Sequence, residues 1–204
     1  MSVITFPATL RVSSVTWGQQ RNDMESRSIF GAQAVEVAVP LWTAALNAPA
    51  DNEGYTGAWK ALIMQLRGRT NQLALWDMNR PVPIGTMRGT MTLNAAVAQG
   101  DVSMSIIASG QAGTTLVPGD LLGFGSGLTQ QVVMVTGAAT ANGAGVITVS
   151  FEPPARNAQS SGASVTWNRP CALFRRQDSI SQWKYSPGAI TEGFSLTLLE
   201  DPRP

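Results

Sequence analysis

The side chains that most often do chemistry are scarce in this 204-residue chain, which has no histidine and one cysteine. Without an imidazole there is no Ser-His-Asp triad, no Cys-His dyad and no His-based zinc site. Cys171 would need another base or a strong cationic field to act as a thiolate nucleophile. Arg169, Arg175 and Arg176 are near it in sequence, yet a small buried hydrophobe is the preferred reading. The mid-chain acids Asp77, Asp101, Asp120 and Glu152 could serve glycoside hydrolysis only if two of them stood within about 10 Å, which spacing alone does not establish. Asp120 belongs to Pro118-Gly119-Asp120, a turn signature in which the carboxylate bonds local backbone and glycine accepts a positive φ. The run Gly123-Phe124-Gly125-Ser126-Gly127 invites a phosphate-loop reading, but such a loop leads from a strand into a helix. Here another strand follows, Gln130-Gln131-Val132-Val133, so the run reads as a loop between strands. No catalytic, cofactor-binding or metal-ligating residue is assigned, and no cofactor is expected.

Binding chemistry offers more. Six tryptophans, at positions 17, 42, 59, 76, 167 and 183, could stack on sugar rings, although packing accounts for Trp17 and Trp42 in particular. A net charge of +1 creates no field for phosphates, and the arginines are scattered apart from the Arg175-Arg176 pair. Sequence-specific nucleic-acid binding is therefore not expected. Arginine outnumbers lysine 12 to 2, a bias that suits planar, multi-donor contacts between proteins. No stretch approaches 18 apolar residues and the first residues lack a signal-peptide pattern, so no membrane span is expected. With an unpaired cysteine as well, assembly in a reducing cytoplasm is the expectation.

A chain of this length can bury roughly 70% of its surface, enough for a core without disulfides or metal. Twenty glycines and 12 prolines make it turn-rich, and apolar-polar alternation dominates. Val35, Val37, Val39 and Leu41 share one parity; Val102, Met104 and Ile106, then Ile147, Val149 and Phe151, then Phe194, Leu196 and Leu198 repeat the signal. These read as about ten short, half-buried strands in antiparallel sheets. One segment differs, since Tyr55, Trp59, Leu62, Ile63 and Leu66 form a single helical stripe. Asp51, Asn52 and Glu53 offer capping oxygens at its start and Arg67, Gly68 and Arg69 the expected end, which predicts a helix over about 53–68 covering a sheet.

The fold class expected is mainly β: an antiparallel β-sandwich or barrel domain with that one covering α-helix, and a small β-barrel or sandwich module inserted mid-chain. The tryptophans bracket a Gly/Ala/Ser/Thr-rich stretch. A discontinuous domain of residues 1–82 plus 168–204 with an inserted β domain of 83–167 follows from that. Thr140–Gly145 is a turn cluster whose flanking strands should form a hairpin.

The run Arg27–Gln33 ahead of an alternating strand, Pro40-Leu41-Trp42 and a Trp-containing helix resembles the front half of distal tail or minor tail-tip proteins of long-tailed bacteriophages. Pro118-Gly119-Asp120, Gly143–Val149, Pro153–Arg156 and Arg169–Arg175 are similar to their latter half. The resemblance implies a structural, non-enzymatic virion subunit at the tail tip, forming a ring with itself, usually sixfold, that links the tail-tube protein to hub or receptor-binding proteins. In the better-known members a galectin-like β domain is C-terminal, whereas here the β module sits mid-chain. Strand edges and buried Arg or Trp contacts would close the ring, with Arg27, Phe30, Arg80, Arg156, Trp167, Arg175, Arg176 and Trp183 as candidate interface residues. The alternative is a carbohydrate-binding module that contacts the host envelope through the insert.

Overall fold

The computed structural model describes residues 2–188 and 190–201. The first strands are β1 (Val3–Thr5), β2 (Ser14–Ser28), β3 (Gly31–Asn47) and β4 (Asp51–Asn52), followed by helix α1 (Glu53–Leu66) and β5 (Gln72–Leu75). The middle of the chain gives β6 (Met91–Leu93), β7 (Ser103–Ala108), β8 (Thr115–Leu116), β9 (Leu121–Phe124), β10 (Gln131–Val135), β11 (Ala139–Thr140), β12 (Val146–Glu152) and β13 (Ser164–Thr166). The last are β14 (Ala172–Arg176), β15 (Tyr185–Ser186), β16 (Ile190–Thr191) and β17 (Ser195–Glu200). The fold is mainly β with one α-helix, as the alternation requires.

The chain divides into two compact units. One joins the described residues up to Gln20 with Leu41–Leu75 and those from Leu173 onward; the other joins Arg21–Pro40 with Trp76–Ala172. The expected boundaries, 1–82 plus 168–204 around 83–167, place residues 21–40, 76–82 and 168–172 differently; positions 1, 189 and 202–204 lie outside the described residues. For residues 21–40 the difference arises because β2 and β3 are 15 and 17 residues long, not short, so they run on past the part of β3, Thr43–Asn47, that pairs with β17. In the distal half, Arg21 lies 3.9 Å from Glu152 of the second unit.

In the first unit, a six-stranded sheet runs in the order β1-β5-β14-β17-β3-β2, with β1 parallel to β5 and with β14–β17 and β17–β3 antiparallel. Trp42, Ala44 and Leu46 of β3 alternate into the core. Trp17 sits edge-on to Phe174 at 5.2 Å and tilted against Trp42 at 5.8 Å, consistent with the packing role expected of both tryptophans. Helix α1 buries Thr56, Trp59, Leu62, Ile63 and Leu66. Tyr55, expected in this stripe, is 52% exposed and has the Arg11 guanidinium 4.2 Å from its ring centre. Thr56 takes the inner place because its hydroxyl has two partners there, the Asn52 carbonyl and the Thr191 hydroxyl. Trp59 meets Phe6 and Phe194 edge-on at 6.0 and 5.7 Å and donates its indole N–H to the Arg11 carbonyl. Asn52 is the N-cap residue, but its side chain makes no capping bond, and the side chain of Glu53 lies outside those described. At the other end Arg67, not glycine, adopts the left-handed conformation (φ 48°), and Gly68 repeats it (φ 63°).

The second unit holds a closed barrel of six antiparallel strands in the order β10-β12-β7-β6-β13-β9. Closure comes from β9, which pairs with both β10 and β13. Met104, Ile106, Ile147, Val149 and Phe151 point inward in strict alternation, and Phe151 meets Phe124 edge-on at 6.0 Å. Val102, expected on that face, precedes β7 and is 47% exposed. The Gly-rich run 123–127 begins as the last two residues of β9 and ends at the first residue of a short 3-10 turn, Gly127–Thr129, that leads into the antiparallel β10. The turn expected around Thr140–Gly145 joins β11 to β12, but β11 pairs with β8 while β12 pairs with β7 and β10, so pairings with other strands replace the hairpin expected of its flanks; in the turn the Asn142 side chain accepts from the Ala144 and Val146 N–H groups.

Candidate functional site

Three of the four mid-chain acids are occupied with backbone, and the fourth, Glu152, lies 3.9 Å from Arg21. Asp120 is fully buried; its carboxylate accepts the N–H groups of Ile84 at 2.7 Å, Gly85 at 3.1 Å and Val117 at 2.9 Å. It thereby ties the segment entering the barrel to the turn before β9. Asp77 accepts from the Asn79 N–H and Asp101 from the Ala98 N–H, both as turn residues. Among the described residues no group of three His, Cys, Asp or Glu side chains could hold a metal ion. Cys171 is half-buried; burial pushes its thiol up, with Arg169 pulling the other way. That makes it a poorer nucleophile near neutral pH. No helix among the described residues is long and apolar enough to cross a membrane.

The eight candidate interface residues fall in three places rather than one. Arg80, Arg156 and Trp167 belong to the barrel unit and are half-buried. Gly119 lies directly under the Arg80 guanidinium, the Arg156 N–H bonds the Gln131 side chain, and Trp167 donates its indole N–H to the Gly89 carbonyl at 2.7 Å. The Arg88 guanidinium lies 5.1 Å from the Trp167 ring and clasps the carbonyls of Pro83, Gly85 and Met87. Sequence reasoning missed Arg88, because nothing in its neighbours marks it as a clasp.

Arg175, Arg176 and Trp183 lie in the first unit. Arg176 is 6% exposed, and its guanidinium donates to the Ser181 hydroxyl at 2.8 Å and the Ile180 carbonyl at 2.7 Å. Burial lowers its pKa while Asp178 opposes that. It is an internal anchor for the irregular segment after β14, which corrects its assignment to an outer surface. Arg69 likewise holds the Gln177 carbonyl. Between this segment and the start of β17 lies a cleft of about 780 Å³, with Ile63, Ile180, Trp183, Phe194 and Leu196 among its walls. No periodicity marks residues 177–184, so the cleft has no sequence signal.

Arg27 and Phe30 lie in the distal β2–β3 hairpin. Arg27 is held by Glu25 through two bonds of 2.8 and 3.1 Å, an exposed pair of little energetic weight. Ile29 and Phe30 form the two-residue tip and are 92% and 93% exposed. Met24, Val35, Val37 and Val39 are exposed as well, which corrects the half-buried reading of that valine run. The apolar parity changes at Pro40: even positions are buried from Trp42 on, and the odd-numbered valines before it have no covering layer among the described residues. The signal was present in β2, where Arg21, Asp23, Glu25 and Arg27 put charge on every second position.

No protein-family model matches the chain, and no curated protein matches its sequence.

Proposed function

We propose that the chain is a structural subunit of a phage tail, a distal-tail or tail-tip ring component that joins the tail tube to the tip or receptor-binding apparatus. The observation that carries the reading is the distal β2–β3 hairpin, which leaves six large apolar side chains at the surface: Met24, Ile29, Phe30, Val35, Val37 and Val39. A two-stranded ribbon is marginal alone in water, and exposed apolar surface on this scale marks a protein-protein contact. Near-zero net charge allows many copies to pack without self-repulsion. The chain's output is then geometry, with no residue in a covalent role. The resemblance to tail-tip proteins supplies the particular assembly.

The carbohydrate-binding alternative draws no support from the barrel: the exposed aromatic rings among the described residues are Phe30, Tyr55 and Tyr185, none of them in a barrel strand. Light scattering on the purified protein, alone and with its tail-tube partner, tests the proposal. A closed oligomer supports it. A strict monomer that never enters particles refutes it.

A further inference from the structure

The hairpin tip is an exposed apolar feature, and the cleft in the first unit has five apolar residues on its lining. Ile29 and Phe30 present two large apolar side chains at the end of a ribbon and are almost wholly solvated. The cleft, about 780 Å³, has Ile63, Ile180, Trp183, Phe194 and Leu196 on a lining that is otherwise mostly polar and charged, so an apolar tip would meet these five residues inside a polar surround. That volume falls within the roughly 300–1,000 Å³ typical of pockets that enclose a compact ligand, so two side chains can enter it.

Charge agrees as well. The distal hairpin carries Asp23, Glu25 and Glu36 against Arg21 and Arg27, a small excess of negative charge. The cleft is lined by Arg69, Arg176 and Lys184 against Asp178 and Glu192, a small excess of positive charge. Such complementarity steers encounter and fixes orientation more than it adds affinity.

We infer that the Ile29–Phe30 tip of one copy seats in the cleft of a second copy of this chain. The donor surface and the acceptor surface are different parts of one molecule, so the contact is head-to-tail. Contacts of that kind repeat around a ring when the rotation closes. The inference rests on the ring reading above and names the contact that would build the ring.

The test uses the full chain with Cys171→Ser as background. One preparation carries Phe30→Cys and a second, tagged, carries Ile180→Cys; Ile180 is 71% exposed at the cleft rim. A short bis-maleimide is added to the mixture, with Ile84→Cys, 65% exposed in the barrel unit, replacing Phe30→Cys as control. In parallel, light scattering follows Ile29→Asp and Phe30→Asp, whose tip positions are too exposed for the fold to depend on them. The expected result is a cross-link between tagged and untagged chains that the control lacks, with association about 10- to 100-fold weaker in either aspartate variant. An oligomer that neither cross-links nor weakens overturns the tip-in-cleft contact and leaves the ring reading standing. Cross-links confined to pairs of like chains, both Phe30→Cys or both Ile180→Cys, overturn it too, because the contact then joins identical surfaces rather than tip and cleft. A wild-type chain that stays monomeric and never enters particles refutes the ring reading itself.

Discussion

Replacing Asp120 tests whether one buried carboxylate holds the entry to the barrel. Its Oδ2 accepts two N–H groups, from Gly85 and Val117, and its Oδ1 accepts one, from Ile84. Asp120→Ala leaves three donors without an acceptor. A buried donor costs ~1–3 kcal/mol when orphaned, and the two part-buried ones fall toward the lower end because water reaches them, so ~3–5 kcal/mol is expected. Asp120→Asn is nearly isosteric and keeps one acceptor oxygen. That oxygen should occupy the Oδ2 place, where it satisfies two donors, and turn its NH2 toward the Ile84 N–H. The cost is then one lost bond to a charged group, ~1.5–3 kcal/mol. Urea unfolding followed at barrel resonances gives the ranking, and amide exchange identifies which donor was orphaned. In the Asn variant protection should fall at Ile84 and persist at Gly85 and Val117. Both variants unfolding within about 0.5 kcal/mol of wild type, a margin typical of inert surface changes, would refute the reasoning. So would exchange that is lost at Gly85 and Val117 while Ile84 stays protected.

Gly85→Ala should destabilise the same entry segment, since a Cβ there would stand 2.7 Å from the Leu116 Cα and 2.8 Å from the Asp120 Oδ2, and closer still to the Thr115 carbonyl; an unchanged thermal midpoint contradicts this. Trp59→Ala should cost ~3–5 kcal/mol, and exchange should rise in the first unit while barrel amides keep their protection. The Glu192 carboxyl is held below its ordinary value of 4.5 by hydrogen bonds from Lys184 and Ser186. Because the folded value is the depressed one, its contribution is present above about pH 4.5 and is lost as pH falls through the folded value, and Glu192→Gln should abolish that dependence in the exchange of the β15–β16 turn. Cys171 should react with iodoacetamide more slowly than free cysteine at pH 8, as burial raises its thiol; an equal rate argues against it.

The periodicities of 2 and 3.6 were enough to find the main strands and the helix, because they depend only on which face of a local element meets apolar neighbours. Val149 and Phe151 alternate into the barrel as written, and the helix, expected over about 53–68, spans Glu53–Leu66. Composition likewise removed histidine chemistry before any fold was known. Burial of the valines at 35, 37 and 39 was beyond the pattern's reach, since alternation gives a face but not whether a second layer exists to cover it. Asp120 could be read as a turn residue, yet its bonds to Ile84 and Gly85 span more than 30 residues and exist only once the chain returns past them. Arg176, written beside Arg175 as one basic pair, becomes an internal anchor because an irregular segment without any period folds over it. Local patterning determined the elements and the absence of imidazole chemistry. Tertiary packing alone decided which apolar residues stay in water and where a cleft remains open, because both depend on what distant parts of the chain leave uncovered.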